Sequence, residues 1–514
     1  MYMGLDLGVG RLDSPCIWVW TWDVSPQGDI GDALSVLARV VRACYICFEN
    51  RVTLLMACSS KILALVVFLG LSRLPLAALD LQEDVANTPL PPQWSAFVEK
   101  LPFLGRRLQI ASPCVGIHGC GHAVMSMGAP ADSINVFDLQ SGYSTYLHKH
   151  LTDMGMDRIQ LNLGRALGDL LNFDFTTLQK PVDFLVSGPP CPPWAGQGKR
   201  CSLSDPRAKV FLRILQWVVY FIKCAGLIGV ILANVVGIRT RREGRESVMD
   251  IFERALNKWC PEFCWRVDQL ALVEYMCPQS RVRVFLRGMR RCIASPCPPC
   301  LKPFGSRFLR SCLGKFGHTP RSSLCENQQQ NLIYMEAKIR QQVLDGKLQL
   351  EDVVVVSVDR GPGLTYPQTI SVNVAPTFTT SNSSLFVLSV RGVADKTPDD
   401  QREFFRKFRN SERLALQGFP PDIVFQLSPE LAMFAAGNAY PVPLIIATLH
   451  PMLHALSLSK VNLASWPPAE LLLPGVPDCL DKFTKDSLKK PRLLKGAKGP
   501  VKKRARSKSA EDSD

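Results

Sequence analysis

The segment SGPPCPPWAGQGKR (187–200) places a thiol, Cys191, between the pairs Pro189–Pro190 and Pro192–Pro193. Proline fixes φ and narrows the backbone's options, so such a frame can hold a nucleophile in place. The GQGKR that follows is flexible and basic, suited to closing over a phosphate backbone. Alone, the segment reads equally well as a proline-rich turn with a bystander cysteine. A second set begins at VGIHGCG (115–121), where glycines permit close backbone approach to a ligand and lead into a helix start. Asp138 comes about twenty residues later, a spacing that suits a carboxylate meeting ribose hydroxyls. LGDLL (167–171) adds Asp169. A glycine-rich turn by itself is as well explained as a tight turn; with two spaced acids it points to a nucleoside-containing cofactor.

These residues need elements to hold them. Short apolar runs at Leu108–Ile110, INVFDL (134–139), VDFLV (182–186), LIGVIL (227–232) and VRVFL (282–286) read as strands. Helix-length segments at 143–153 and 207–223 lie between them. Strands alternating with helices give an α/β fold with a parallel sheet covered on both faces. Ligands in such sheets bind at the carboxyl ends of the strands, which is where the residues above fall.

Composition bounds the function. The chain has 514 residues, 47% hydrophobic and 20% charged, which excludes a chain disordered throughout. Its formal charge of +15 favours a polyanionic partner. From Asp481 to Lys508 there are twelve Lys or Arg and two acids, a basic tail suited to nuclear import and nucleic-acid contact. The 18 cysteines form no regular framework, as expected in a reducing compartment. Cys292, Cys297, Cys300, Cys312, His318 and Cys325 lack the two tight pairs of a structural zinc site, so no metal is expected. Ile62–Leu71 is too short to span a bilayer and reads as a buried helix. From Met56 the same stretch has the form of a signal peptide, which would act only if translation began there. No membrane partner is expected. CIWVWTWD (16–23) alternates like a strand.

The Pro-Cys segment resembles the catalytic loop of the cytosine-C5 DNA methyltransferases, and further motifs of that family follow in order. DPRAKVF (205–211) is similar to the segment after that loop. ILANVVG (231–237) resembles the family's Glu-Asn-Val strand end, with Ala233 where the family has Glu. PQSRVRVFLRG (278–288) matches Gln-x-Arg-x-Arg at Gln279, Arg281 and Arg283. APTFTTSN (375–382), ERLALQGFP (412–420) and AAGNAYPVPL (435–444) complete the series, the last matching Gly-Asn-x-x-Pro. The resemblance covers about 106–456.

The resemblance implies a Rossmann-like sheet that binds S-adenosylmethionine, with a smaller target-recognition domain. It divides the chain into an N-terminal extension (1–105), a catalytic domain (106–290 and 406–456), a recognition region (291–405) and a tail (457–514). It makes Cys191 the nucleophile that adds to cytosine C6. Arg283 would bind cytosine O2, Arg281 would support the loop, and Asn234 matches the strand end beside them. The family's Phe-x-Gly-x-Gly falls on Ile117, Gly119 and Gly121 at the methionine end of the cofactor. Asp138 would hold the ribose, Asp169 and Leu170 would meet the adenine, and Val210 and Asn438 would line the same pocket. The partner is then duplex DNA with a flipped cytosine, in the nucleus. Ala233 removes the acid that would assist at cytosine N3. The alternatives are a catalytically weak DNA-binding or regulatory paralogue, acting with a partner methyltransferase, and an RNA (tRNA) cytosine-5 methyltransferase.

Overall fold

The computed structural model describes residues 88–458 apart from short stretches (91–93, 95–96, 99–100, 102–105, 157, 196–201, 242–245, 315–316, 360–369 and 381–383), and three strands before them. Contacts divide the chain into two compact units, Met1–Ala86 and Asn87–Asp514. In the first, β1 (Trp18–Trp22), β2 (Val52–Ser59) and β3 (Ile62–Leu69) form an antiparallel sheet in the order β1-β3-β2. The strand expected at 16–23 is β1. The helix expected at Ile62–Leu71 is instead β3, and its run of Ile, Leu, Val and Phe suits a strand as well as a helix. The basic tail lies outside the described residues.

The second unit is built on seven strands: β4 (Leu108–Pro113), β5 (Ala131–Asp138), β6 (Ile159–Leu163), β7 (Phe184–Ser187), β8 (Gly229–Val235), β9 (Phe263–Ala271) and β10 (Val282–Arg290). Their order is β6-β5-β4-β7-β8-β10-β9. The strands β6 to β8 pair in parallel, while β10 runs antiparallel to both β8 and β9. β4 and β7 are buried throughout and β8 nearly so, which is why they read as continuous apolar runs. The helix Ala208–Cys224 covers one face, burying Phe211, Trp217 and Phe221 against Phe137, Leu185 and Val230. On the unit's other side Gly119–Met127 packs against Val442–Leu458. No single helix among the described residues is long and apolar enough to cross a membrane.

The chain leaves β4 toward β5 on one side and returns through β7 on the other, so the strand order reverses between β4 and β7. A crevice opens at the carboxyl ends of strands at such a point. The loops after β4 and β7, which carry the glycine-rich and Pro-Cys segments, therefore meet. Arg106 fixes the opposite end of these strands: its guanidinium donates to both carboxylate oxygens of buried Asp183 at 2.6 and 2.7 Å.

A second sheet holds β11 (Val353–Ser357), β12 (Ser371–Val372), β13 (Leu385–Ser389) and β14 (Phe405–Lys407) in the order β12-β11-β13-β14. The helix Glu326–Leu344 lays Leu332, Met335 and Ile339 on it, against Val354, Val356, Phe386 and Leu388. This sheet occupies the region where the catalytic motifs pause and runs two residues past the expected limit at 405. At the other end, the second unit begins before the expected 106: Trp94, Val98 and Leu101 are buried, and Trp94 packs 6.5 Å from Phe304.

Candidate active site

The end of β7 is tied to the end of β4 by Ser187, whose hydroxyl donates to the Pro113 carbonyl. Beyond it the chain turns tightly: the N–H groups of Trp194 and Ala195 both donate to the Cys191 carbonyl at 3.0 Å. Trp194 is buried and packs edge-on against Phe211 at 5.4 Å. At Gly237, after β8, a Cβ would lie 1.9 Å from the Trp194 carbonyl oxygen, so only glycine allows this approach. Asn234 completes the brace, its Nδ2 donating to the Pro189 carbonyl at 3.3 Å and its Oδ1 accepting from the Val235 N–H at 2.8 Å. The result is a rigid loop that leaves Cys191 partly exposed. The basic segment 196–200 lies outside the described residues.

Two arginines from the start of β10 share the site with Cys191. Arg281 is buried, and its guanidinium donates to the carbonyls of Phe378, Ala436, Gly437 and Ala439. Arg283 donates to its neighbour Val282 at 2.8 Å. Burial lowers the Arg283 pKa to about 10, opposed by the nearby Cys191 sulfur. Burial, and then repulsion from Arg283, push Arg281 well below its ordinary value. Among the described residues neither arginine has an ion-pair partner. Ala233 is paired with Phe285 and Arg283 with Val235, so Ala233 and Arg283 occupy diagonal positions on one face of the β8–β10 ladder. Glu246, an acid close in sequence, pairs instead with Arg254. Gln279, the first residue of the Gln-x-Arg-x-Arg motif, is fully buried with both amide atoms unpaired.

In the crevice, Asp138 at the end of β5 accepts from the Gly116 and Gln140 N–H groups, each at 2.8 Å. Burial raises its pKa, and these two bonds oppose the shift. This corrects the expected glycine register. The turn glycine is Gly116, at φ +54°, while Ile117 is buried and Gly121 lies inside the helix Gly119–Met127. A Cβ on Gly121 would lie 2.2 Å from the His118 ring, so this glycine makes room for an imidazole rather than for a ligand. Gly119 does line the crevice: a Cβ there would meet the Tyr440 carbonyl at 2.6 Å, and one on Gly188 would meet the Tyr440 ring at 2.7 Å. Tyr440 thus sits between the glycine loop and the Pro-Cys loop. Its hydroxyl and that of Tyr143 are buried without hydrogen-bond partners, both within electrostatic reach of Asp138.

Asp169 accepts from the Leu171 N–H and the Asn172 amide, closing its own turn. The Leu170 side chain is buried in the main core. The apolar surface left exposed here is Leu139, Leu167 and Leu171. Val210, in the first turn of Ala208–Cys224, packs against the same core. Asn438 is exposed at the end of the helix Pro429–Asn438, and the closing motif reaches the crevice through Tyr440 instead. Sequence reasoning did not single out Gly116, Tyr143 or Tyr440; Gly116 lies within the quoted glycine run and Tyr440 within the closing motif, while Tyr143 carried no signal.

A thiol on a proline-rich loop after β7, two arginines within electrostatic reach of it, and a carboxylate at the end of β5 gather at one end of the sheet. The sequence profile of the C-5 cytosine-specific DNA methylases matches residues 158–454, and the chain belongs to that family. Members use S-adenosylmethionine as methyl donor. Solved structures similar to this chain include the Entamoeba histolytica methyltransferase EhMeth, at 14% identity and a TM-score of 0.45. A Spodoptera frugiperda DNMT2 variant follows at 17% and 0.43, and S. pombe Dnmt2 at 13% and 0.42. Each match covers 68% of this chain and 99% of the other. No curated protein matches the sequence.

Proposed function

We propose that the protein transfers a methyl group from S-adenosylmethionine to C5 of cytosine in duplex DNA, slowly because Ala233 replaces the acid. The observation that carries this reading is Cys191, braced by Asn234 and Trp194 beside Arg281 and Arg283. In this mechanism the Cys191 thiolate adds to C6 of a cytosine turned out of the duplex. Electron density moves to C5, which takes the methyl group. Loss of the C5 proton then expels the thiolate and restores the ring. Arg283 binds cytosine O2, and Arg281 positions the loop by tying β10 to the closing segment.

The buried polar set fits the methyl donor. Asp138 offers a carboxylate for ribose hydroxyls, the unpaired hydroxyls of Tyr143 and Tyr440 need partners, and Leu139 and Leu171 offer apolar cover for a base. When bound, S-adenosylmethionine supplies an electrophilic methyl group. We assign 106–290 and 406–456 to catalysis and 291–405 to target recognition, supported by the separate sheet and core of the latter. The basic tail supports nuclear import. Ala233 specifically favours a second reading, a DNA-binding paralogue that has lost turnover.

Duplex DNA carrying 5-fluorocytosine tests the nucleophile, because fluorine cannot leave as the proton does. Incubated with cofactor, the protein is expected to form a covalent adduct stable to denaturing electrophoresis. Cys191→Ser should abolish it; an adduct that persists in that variant would place the nucleophile elsewhere. Competition by tRNA against the duplex separates DNA from RNA as substrate. Asp138→Ala is expected to weaken cofactor binding by about 1–3 kcal/mol, the scale of hydrogen bonds to a charged group. Isothermal calorimetry on the folded variant measures this, and unchanged affinity would remove Asp138 from the cofactor site.

A further inference from the structure

Three thiols gather on β9 and the loop after β10. Cys264, the second residue of β9, lies opposite Met289 of β10. Its thiol contacts the carbonyls of Met289 at 3.2 Å and Ala294 at 3.1 Å. After β10 the chain folds back, the Cys264 thiol donating to the Ala294 carbonyl, and brings Cys297 beside Cys264. Cys300, three residues on, lies within electrostatic reach of Asp268 of β9. Cys264 and Cys297 line a cavity of about 390 Å³, and the cations Arg266 and Arg291 line it with them. No group of three metal-ligating side chains among the described residues is placed to hold an ion. Sequence reasoning grouped Cys297 with Cys292 and Cys300; it left out Cys264, which is 33 residues away along the chain and adjacent only through the β9–β10 hairpin.

We infer that Cys264 and Cys297 form an oxidation site, a thiol pair that reacts with hydrogen peroxide to close an intramolecular disulfide. The contact with Cys297 and the Arg291 charge lower the Cys264 pKa while that of Cys297 is raised, so of the two Cys264 is the thiol that gives up its proton first. Its sulfur attacks a peroxide oxygen and the O–O bond breaks, giving a sulfenic acid; the hydroxide released takes up a proton as water. The Cys297 sulfur then attacks the sulfenic sulfur, and the S–O bond breaks with loss of a second water. Two thiols and one peroxide become one disulfide and two waters. The bond would fasten the loop after β10 to β9.

The test uses the full-length protein. It is treated with graded hydrogen peroxide, alkylated under denaturing conditions, digested without reduction and mapped by mass spectrometry. The expected product is a cross-linked peptide pair holding Cys264 and Cys297, appearing at lower peroxide than oxidation of the exposed Cys292 and Cys325. In Cys297→Ala, Cys264 should stop at the sulfenic acid, which dimedone traps. Cys264 and Cys297 both recovered alkylated while Cys292 and Cys325 are already oxidised would overturn the assignment. So would a disulfide from Cys264 to any other cysteine. Mapping the wild-type protein decides this even if the variant fails to fold.

Discussion

Ala233→Glu is expected to raise the rate of methyl transfer by about 10²–10⁴-fold, the span of one general acid. The expectation rests on the β8–β10 ladder. Position 233 lies diagonal to Arg283 on the same face, where residues stand roughly 7–8 Å apart and a long side chain can span the gap. Arg281 and Arg283 are both desolvated, and among the described residues neither faces a carboxylate. A glutamate there would enter a site with excess positive charge, so its burial is compensated. Protonated, it would donate to cytosine N3 as Cys191 adds to C6. Ala233→Gln supplies the control, since an amide donates a hydrogen bond but cannot titrate. The measurement is single-turnover methylation of duplex DNA by all three proteins, each shown to be folded and cofactor-bound. Brisk turnover by wild type with no gain in the glutamate variant would show that another group already assists at N3. No turnover in any of them would leave the DNA-binding reading in front.

Stability should fall steeply as pH drops below about 6.5. His118, His122 and His150 form one cluster beneath the cofactor loop, with the His122 and His150 rings stacked at 4.0 Å. His122 Nε2 is 2.9 Å from the Tyr146 hydroxyl, and His118 Nε2 is 3.2 Å from the Ser133 hydroxyl. Burial lowers the His118 pKa to about 3 and that of His150 to about 4, with His122 well below its ordinary value. Around His150, Asp153 opposes the shift and Lys149 adds to it. The sign follows from linkage. Between the ordinary value of 6.5 and these lowered values the unfolded chain binds protons that the folded chain refuses, so stability is full above 6.5 and lost on acidification. Each histidine held neutral costs about 1.4 kcal/mol per pH unit below 6.5, a large share of the net stability of many domains, about 5–15 kcal/mol. Urea denaturation between pH 7.5 and 5 measures the slope. An uptake of fewer than one proton on unfolding across that window would sink the expectation.

The sheet was readable where burial made its strands uniformly apolar. β4, β5, β7, β8 and β10 all fall on runs picked out by composition. β6 escaped because IQLNL lies at the sheet edge and is only partly buried, so polar residues interrupt it. β9 escaped because FCWRVDQLA is half covered, and its polar residues belong to pairs such as Arg287–Asp268 that no local pattern reveals. Cys191, Asn234, Arg281 and Arg283 stand in short motifs, and the structure brings them to one end of the sheet. Tyr440 was not, because its role depends on the last helix returning to the first loop. The histidine cluster hid for the same reason: His118 and His122 sit one turn apart, but His150 joins them from another helix.

Arg281 also sets the order in which the molecule can mature during synthesis. Its two terminal guanidinium nitrogens donate to carbonyls at 378 and at 436–439, which leave the ribosome long after Cys191 and the whole seven-stranded sheet. Until then the site holds a cation with neither carbonyls nor a counter-ion, and that end of the sheet stays open to water. The Arg281 end of the site is therefore completed only when the segment 436–439 docks. A nascent chain cannot become active piecemeal, and quality control that samples exposed surface would read an unfinished site at the strand ends rather than at the core.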